Sequence, residues 1–127
     1  MKDYRTPLSR AKGLGSAKSG TGHWWMQRVT AVALIPLSFW LIKFLGLSLT
    51  APYQQTLDWL TSPINSICIV VWIIAAFYHA ALGLQVVIED YVAAEGPKII
   101  SIWAVNLFFL FLAIAALLAV FRIVSIG

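Results

Sequence analysis

Long runs without a formal charge constrain this sequence more than any other feature. Residues 59–88 form 30 consecutive uncharged positions, and residues 99–121 form another 23. A third apolar stretch, residues 25–49, is interrupted only by Arg28 and Lys43. Each run reaches the roughly 20 apolar residues that cross a bilayer as a helix. Helices are expected because a helix satisfies its own backbone hydrogen bonds in lipid.

The overall composition excludes an ordinary soluble domain. Of the 127 residues, 61% are hydrophobic and only 11% are charged, whereas soluble domains average about 25% charged residues. Cys68 is the single cysteine, so neither an intrachain disulfide nor a cysteine-based metal site is possible. We therefore predict an all-α membrane protein with three transmembrane helices, at about residues 24–49, 63–91 and 98–122.

Prolines and polar residues mark the connections between these helices. Residues 50–63 hold two prolines, two glutamines and an aspartate, which indicates a loop or a short interfacial turn. Gly96 and Pro97 indicate a helix stop followed by a new start. Pro36 lies inside the first helix, where we expect a kink and not an end.

Basic residues set the predicted orientation, because they accumulate on the inner side of a membrane. Seven fall on the side of the N-terminus and of the loop between helices two and three: Lys2, Arg5, Arg10, Lys12, Lys18, Arg28 and Lys98. The other side has only Lys43 and Arg122. The N-terminus is thus predicted inside and the C-terminus outside.

The chain divides into a basic N-terminal arm, residues 1–22, and a three-helix membrane domain, residues 23–127. The arm could instead be a transit peptide, because it is basic and contains glycine and serine. We interpret it as a mature arm on an anionic bacterial inner membrane. A mitochondrial inner membrane is the alternative.

His79 is the residue that most needs explanation, because it interrupts the uncharged second helix. It lies ten residues before Glu89, about 15 Å deeper in the membrane. Small residues, Ala75 and Gly83 among them, share its helix face. This face allows either close packing of a neighbouring helix or the approach of a flat, bulky group to the imidazole. His79 is accordingly either a helix-to-helix hydrogen-bonding residue or a haem ligand.

Ionisable residues at the inner ends of the helices also have two interpretations. Glu89, Asp90 and Tyr91 form an interfacial cap, or the phenol and a carboxylate bind a quinone carbonyl and relay protons. Arg28 either extends to lipid headgroups or binds a carboxylate-bearing ligand such as a haem propionate. His23, Gln27 and Asn106 receive no role from the sequence.

Two segments resemble a known family. The stretch "HAALGLQVVIEDYV" (79–92) has a histidine followed four residues on by glycine and eleven residues on by Asp-Tyr. The stretch "HWWMQRVTAVALIPL" (23–37) resembles the start of a first helix. Together they resemble the smaller, D-type hydrophobic membrane anchor of succinate dehydrogenase (respiratory complex II), in its α-proteobacterial and mitochondrial-like branch. The resemblance covers roughly residues 20–125.

The resemblance implies roles for individual residues. His79 would be an axial ligand of haem b, and therefore of its iron, shared with a histidine of the larger, C-type anchor. Gly83 would allow the close approach of the haem, and Arg28 would lie near the propionates. Tyr91 would donate a hydrogen bond to ubiquinone, with Asp90 beside it. No catalytic residue is expected in this chain alone.

The resemblance also implies the partners and the function. The chain would dock a flavoprotein subunit, an iron–sulfur subunit and the C-type cytochrome b anchor into a larger helical bundle. FAD and the iron–sulfur clusters would be carried by those subunits, and electrons from succinate would reach ubiquinone at the membrane. The bilayer is the other expected partner, and a nucleic acid is not expected.

Two alternatives to this function remain open. One is the anchor of a quinol:fumarate reductase, some of which lack haem; the presence of His79 argues against a haem-free anchor. The other is a non-redox structural or assembly subunit whose polar residues are interfacial caps.

Overall fold

The computed structural model describes residues 6–8 and 20–126, and the part from residue 20 onward consists of four helices. They are α1 (Gly20–Thr50), α2 (Tyr53–Thr61), α3 (Pro63–Tyr91) and α4 (Glu95–Ile126). Three of them, α1, α3 and α4, are long and apolar enough to cross a membrane. The all-α fold with three candidate spans is thereby confirmed. Most of the predicted basic arm, residues 1–22, lies outside the described residues.

Helices α1 and α4 extend a few residues beyond their predicted bounds, whereas α3 coincides with the predicted residues 63–91. Helix α1 continues without interruption through Pro36. Helix α4 begins at Glu95, so Gly96 and Pro97 lie in its first turn and not in a loop before it. Proline is tolerated there because the first N–H groups of a helix have no intrahelical acceptor.

The segment predicted as a loop or short turn, residues 50–63, contains the nine-residue helix α2. The two prolines mark helix starts: Pro52 immediately precedes α2, and Pro63 is the first residue of α3. Ser62 between the helices has extended backbone angles, φ −61° and ψ 139°, the conformation that a following proline favours. The prediction of a loop was wrong for residues 53–61 because it rested on their polar side chains and on the flanking prolines, which are typical of loops but also occur at helix starts.

Helix α3 is the centre of the fold. Of the seven buried residues in the described part of the chain, five belong to it: Ile69, Ile73, Ala75, Ala81 and Leu82. Helices α1 and α4 each pack against α3, and within the described residues their backbones do not pack against each other. The three long helices therefore form a row with α3 in the middle, and the outer faces of α1 and α4 are apolar and exposed.

One end of the helix row, here called the α2 end, contains the main hydrophobic cluster. Its buried members are Leu60, Ile69 and Ile73. The rings of Trp40 and Trp59 stack with centroids 5.3 Å apart, and such pairs add about 0.5–1.5 kcal/mol beyond area burial. Helix α2 thus closes this end by packing across the long helices.

The opposite end is here called the N-terminal end, because α1 begins there at Gly20. Helix α3 ends there at Tyr91 and α4 begins there at Glu95. This is the end that the basic residues predict to lie on the inner side of the membrane. The residues singled out from the sequence lie between this end and the middle of α3.

Candidate functional site

His79 lies near the middle of α3 and contacts α1 through a single hydrogen bond. Its Nδ1 is 2.9 Å from Oγ1 of Thr30, and Thr30 is buried, with 7% of its surface exposed. The level of the contact is about 18 Å from the end of α3, since twelve residues separate His79 from Tyr91. The histidine is therefore held to a fixed side of the neighbouring helix, deep within the apolar span.

The surroundings of Thr30 favour one tautomer of His79. The threonine Oγ1 is also 2.8 Å from the carbonyl oxygen of Met26 and 3.1 Å from that of Gln27. Carbonyl oxygens only accept, and a hydroxyl has one hydrogen to donate. With that hydrogen directed at a carbonyl, Oγ1 accepts the N–H of Nδ1. The lone pair of His79 is then on Nε2, which has no hydrogen-bond partner among the described residues.

Gly83 lies one turn further along the same face of α3. A Cβ atom added to it would be 3.5 Å from Nε2 of Gln27 on α1, which is ordinary van der Waals contact. Within this chain, the group that approaches Gly83 closely is therefore the Gln27 side chain. The Oε1 atom of Gln27 is buried without a hydrogen-bond partner in the described part of the chain.

Arg28 lies on α1, two residues before Thr30, and is exposed. Its guanidinium carbon is 5.0 Å from the centroid of the Trp24 ring, a cation–π distance. Trp24 in turn stacks on Trp25, with centroids 6.1 Å apart. The guanidinium thus packs against an aromatic surface at the N-terminal end. Its exposed side can contact an anionic group.

Asp90 and Tyr91 are the last two residues of α3, and both are exposed. Tyr91 has 85% of its surface exposed, and neither side chain has a hydrogen-bond partner among the described residues. The neighbouring Glu89 is different, because its Oε1 accepts from Nε2 of Gln85 at 2.8 Å. A phenol and a carboxylate are therefore available at this helix end for groups outside the chain.

The predicted residues do not form one compact cluster. Eleven residues separate His79 from Asp90 on α3, about 16 Å along the axis. His79, Gly83, Gln27 and Thr30 meet at the α1–α3 contact, whereas Asp90 and Tyr91 stand at the N-terminal end. The arrangement is thus an imidazole inside the span and a phenol with a carboxylate at the membrane surface.

Three polar residues that received no role from the sequence gain one from the structure. Thr30 holds His79, and His23 and Asn106 line a cavity between α3 and α4. A signal for Thr30 existed: it lies ten residues into α1, at the depth that the helical rise gives for His79. The cavity left no such signal, because it depends on the spacing of two apolar helices.

These features define a class of protein. It is a three-span membrane subunit in which a hydrogen-bonded imidazole lies inside the span and polar groups lie at one surface. The model of the succinate dehydrogenase/fumarate reductase transmembrane subunit family matches residues 2–121. The chain belongs to this family.

Curated relatives agree over nearly the whole chain. The succinate dehydrogenase hydrophobic membrane anchor subunit of Rickettsia bellii is 40% identical over 119 residues, covering 94% of this chain and 95% of the relative. That of Rickettsia conorii is 36% identical over 120 residues, with 94% and 95% coverage. That of Paracoccus denitrificans is 31% identical over 102 residues, covering 80% of this chain and 79% of the relative. The resemblance inferred from the two quoted segments is confirmed, and the chain is a multi-pass membrane subunit.

Proposed function

We propose that this chain is the hydrophobic membrane anchor of a succinate:quinone oxidoreductase, and that it co-ligates haem b through His79. Family membership and the names of the relatives support the anchor function. The three apolar helices supply the membrane domain. As a single chain it carries no dehydrogenase activity; the complex does.

The observation that carries the haem proposal is the hydrogen bond between His79 and Thr30. Histidines that ligate a metal almost always donate their other ring N–H to a neighbour, which fixes the tautomer and the ring orientation. The 2.9 Å contact from Nδ1 to Oγ1 provides this partner. It leaves the Nε2 lone pair free to coordinate iron.

His79 would supply one ligand of the haem iron, and a histidine of the C-type anchor would supply the other. His23, the only other histidine, lies seven residues before Thr30 on α1, about 10 Å further along the axis. It lines the cavity between α3 and α4, so it does not face the same group as His79. Arg28 would lie at the propionates of the same haem. Gly83 would accommodate the haem only if the Gln27 side chain, 3.5 Å from the position of an added Cβ, turned aside. Haem b, when bound, supplies a one-electron carrier.

Tyr91 and Asp90 form this chain's part of a ubiquinone site. The phenol of Tyr91 has no partner within the described chain and can donate its O–H to a quinone carbonyl. Asp90 stands beside it as an acceptor that can pass protons from the water phase. Both are at the N-terminal end, where a lipid-soluble quinone reaches the site from the side.

The remaining partners follow from the same function. The flavoprotein subunit carries FAD, the iron–sulfur subunit carries the clusters, and both dock at the N-terminal end. Helices α1 and α4 present wide apolar faces, and the C-type anchor covers one of them. A bacterial inner membrane is the location proposed, with the N-terminus on its cytoplasmic side.

The decisive experiment compares visible spectra of the purified membrane complex for wild type, His79→Ala and His23→Ala. The b-type signal in the reduced-minus-oxidised spectrum is expected to be lost or shifted in His79→Ala. His23→Ala is the matched control and should keep the wild-type spectrum. Flavin content per complex is measured in parallel, so that loss of haem is distinguished from loss of assembly.

Two results would contradict this proposal. The first concerns only the haem, and the second concerns the oxidoreductase function as a whole. If the wild-type complex contained flavin but no haem, His79 would be a packing residue and a haem-free fumarate reductase anchor would fit better. If neither flavin nor haem copurified with the chain, the oxidoreductase function itself would be excluded for it. The chain would then be a structural or assembly subunit.

A further inference from the structure

The cavity between α3 and α4 has a volume of about 640 Å³ and is open on one side; it is here called the α3–α4 groove. Its lining includes Tyr78, Leu110 and Ile114, whose side chains are about half exposed. On α4 the lining extends from Asn106 to Leu117, eleven residues or about 16 Å. The groove therefore faces the outside of the chain along roughly three turns of helix.

Asn106 lies close to the middle of the span. The rings of Phe77 and Phe109 have centroids 6.1 Å apart, so these residues lie at the same level of the antiparallel helices α3 and α4. Phe77 is the central residue of α3 (Pro63–Tyr91). Asn106 is three residues from Phe109, about 4.5 Å along the axis. Its short side chain therefore lies within the hydrocarbon region, far from either membrane surface.

The carboxamide of Asn106 is exposed and has no hydrogen-bond partner among the described residues. In water, exposure alone would satisfy it, whereas hydrocarbon offers neither donors nor acceptors. The hydroxyl of Tyr78, which lines the same groove, has no partner in this part of the chain either. Polar groups at this depth are costly when they remain unpaired. Both groups therefore need a partner from outside the described residues.

The depth of these groups determines what can cover them. The phosphate and glycerol esters of a lipid lie near the membrane surface, and only its acyl chains reach the middle. A lipid in the groove would therefore leave Asn106 unpaired. A transmembrane helix can carry a polar side chain at any depth, and such side chains hydrogen-bond across helices. The unpaired carboxamide thus indicates a protein helix and not a lipid.

The lining of the groove also fits a helix. Ala81 of α3 and Ala113 of α4 both line it, and small residues let helix backbones approach closely. Among the described residues of the lining, none carries a formal charge, which matches an apolar helix with an isolated polar residue. Tyr78 is next to His79 in the chain, so a single partner subunit can reach both the groove and the haem position.

We propose that the α3–α4 groove binds a transmembrane helix of the C-type anchor, and that a polar side chain of this helix hydrogen-bonds Asn106 at mid-span. The identity of the partner rests on the proposed function, in which the C-type anchor is the other membrane chain of the complex. A carboxamide both donates and accepts, so a hydroxyl, an amide or an imidazole of the partner satisfies it. Asn106 thereby fixes the depth of one anchor relative to the other.

The test is photo-cross-linking within the assembled complex. p-Benzoylphenylalanine replaces Leu110, which lines the groove and is 56% exposed. The matched control places the same probe at Phe108, which is 58% exposed and does not line the groove. The two positions are at nearly the same depth, about 200° apart around α4. After irradiation, mass spectrometry identifies what is joined to each probe. We expect a transmembrane peptide of the C-type anchor at position 110 and not at position 108.

A second variant tests the hydrogen bond itself. Asn106→Leu removes the carboxamide and nearly keeps the volume. The apparent dissociation constant of the C-type anchor, measured by dilution of the purified complex in non-ionic detergent, should rise about three- to tenfold, the effect of one interhelical hydrogen bond. Ser48→Ala is the control, because its hydroxyl bonds the Phe44 carbonyl oxygen of its own helix, and should leave the constant unchanged.

Several outcomes would overturn this interface. Cross-links from position 110 to lipid alone would show that lipid covers the groove, and cross-links to a second copy of this chain would make it a contact between copies. Equal cross-linking to the C-type anchor from positions 108 and 110 would refute the specificity of the groove. An unchanged dissociation constant in Asn106→Leu would refute the role of the carboxamide. Flavin and haem are measured on the same preparations, so a failure of the proposed function is seen separately.

Discussion

The two ends of the helix row differ in how their polar groups are satisfied. At the α2 end, Asn65 donates to the carbonyl oxygen of Trp59 at 2.7 Å and to Oγ of Ser62 at 2.8 Å, and accepts from Nε1 of Trp40 at 2.9 Å. At the N-terminal end, His23 and Gln27 each leave a buried polar atom without a partner among the described residues. The indole N–H of Trp72, which packs against the cluster at the α2 end, is an exception to this division.

This difference indicates which part of the chain is stabilised by contacts within the chain itself. Helix packing in lipid depends on van der Waals contact and interhelical hydrogen bonds, because lipid is as apolar as leucine. The α2 end has both, in its aromatic stack and its Asn65 network. The N-terminal end has buried polar groups that have no partner among the described residues, and we expect them to be satisfied by groups beyond these residues. We therefore expect the α2 end to determine the stability of the chain and the N-terminal end to determine its function.

The largest expected effect is on stability at the α2 end. Leu60 is 4% exposed and belongs to the buried cluster, so Leu60→Ala should cost about 3 kcal/mol through lost contacts and a cavity. The measurement is the midpoint of thermal unfolding of the purified complex in detergent. Leu49→Ala is the control: Leu49 is 85% exposed, and the change should cost about 0.5 kcal/mol or less. Equal losses in both variants would contradict the assignment of stability to this end.

The sequence predicts the spans well because their length and lack of charge depend on local composition alone. Residues 63–91 are predicted and observed as one helix. The same reasoning misses α2, whose polar residues are typical of a loop, although its Leu60 is buried. A nine-residue helix is marginal by itself. It is stabilised by packing that the sequence does not display.

The candidate site is only partly predictable for a related reason. His79 is conspicuous in an apolar run, and Asp90 and Tyr91 are identified by their spacing from it. The depth of Thr30 in α1 matches that of His79, but their contact is established only when the register of α1 against α3 is known, because one residue of shift turns the hydroxyl about 100° away. The row order, with α3 between α1 and α4, is likewise a property of packing.

The hydrogen bond between Thr30 and His79 lies between the two ends of the helix row, and its loss has the second largest expected effect. Thr30→Val keeps the side-chain shape and removes the acceptor for Nδ1 of His79, 2.9 Å away. Loss of such a partner typically weakens metal binding 10- to 100-fold, so we expect faster haem loss and a shifted reduction midpoint. Both are measured on the purified complex by difference spectroscopy.

Two further variants separate positioning of His79 from a general structural role. Thr30→Ser retains the hydroxyl and should restore the wild-type midpoint. Thr50→Val removes a hydroxyl that bonds only the Gly46 carbonyl oxygen on an exposed face, and should leave the haem unchanged. A wild-type haem midpoint in Thr30→Val would refute the positioning role, whatever its thermal stability.

The smallest expected effect is at the N-terminal end itself, where function changes and stability does not. Tyr91 is 85% exposed, so Tyr91→Phe should alter the unfolding midpoint by about 0.5 kcal/mol or less. Removal of one hydrogen bond to the quinone should lower kcat/KM for ubiquinone about tenfold. Succinate oxidation with a soluble dye as acceptor should stay at the wild-type rate, because it bypasses the membrane domain. Tyr53→Phe is the control, because Tyr53 of α2 is also largely exposed, at 77%, and it should change none of these quantities. If Tyr53→Phe lowered ubiquinone reduction as much as Tyr91→Phe, the loss would reflect a general disturbance of the anchor, and the functional contrast between the two ends would fail.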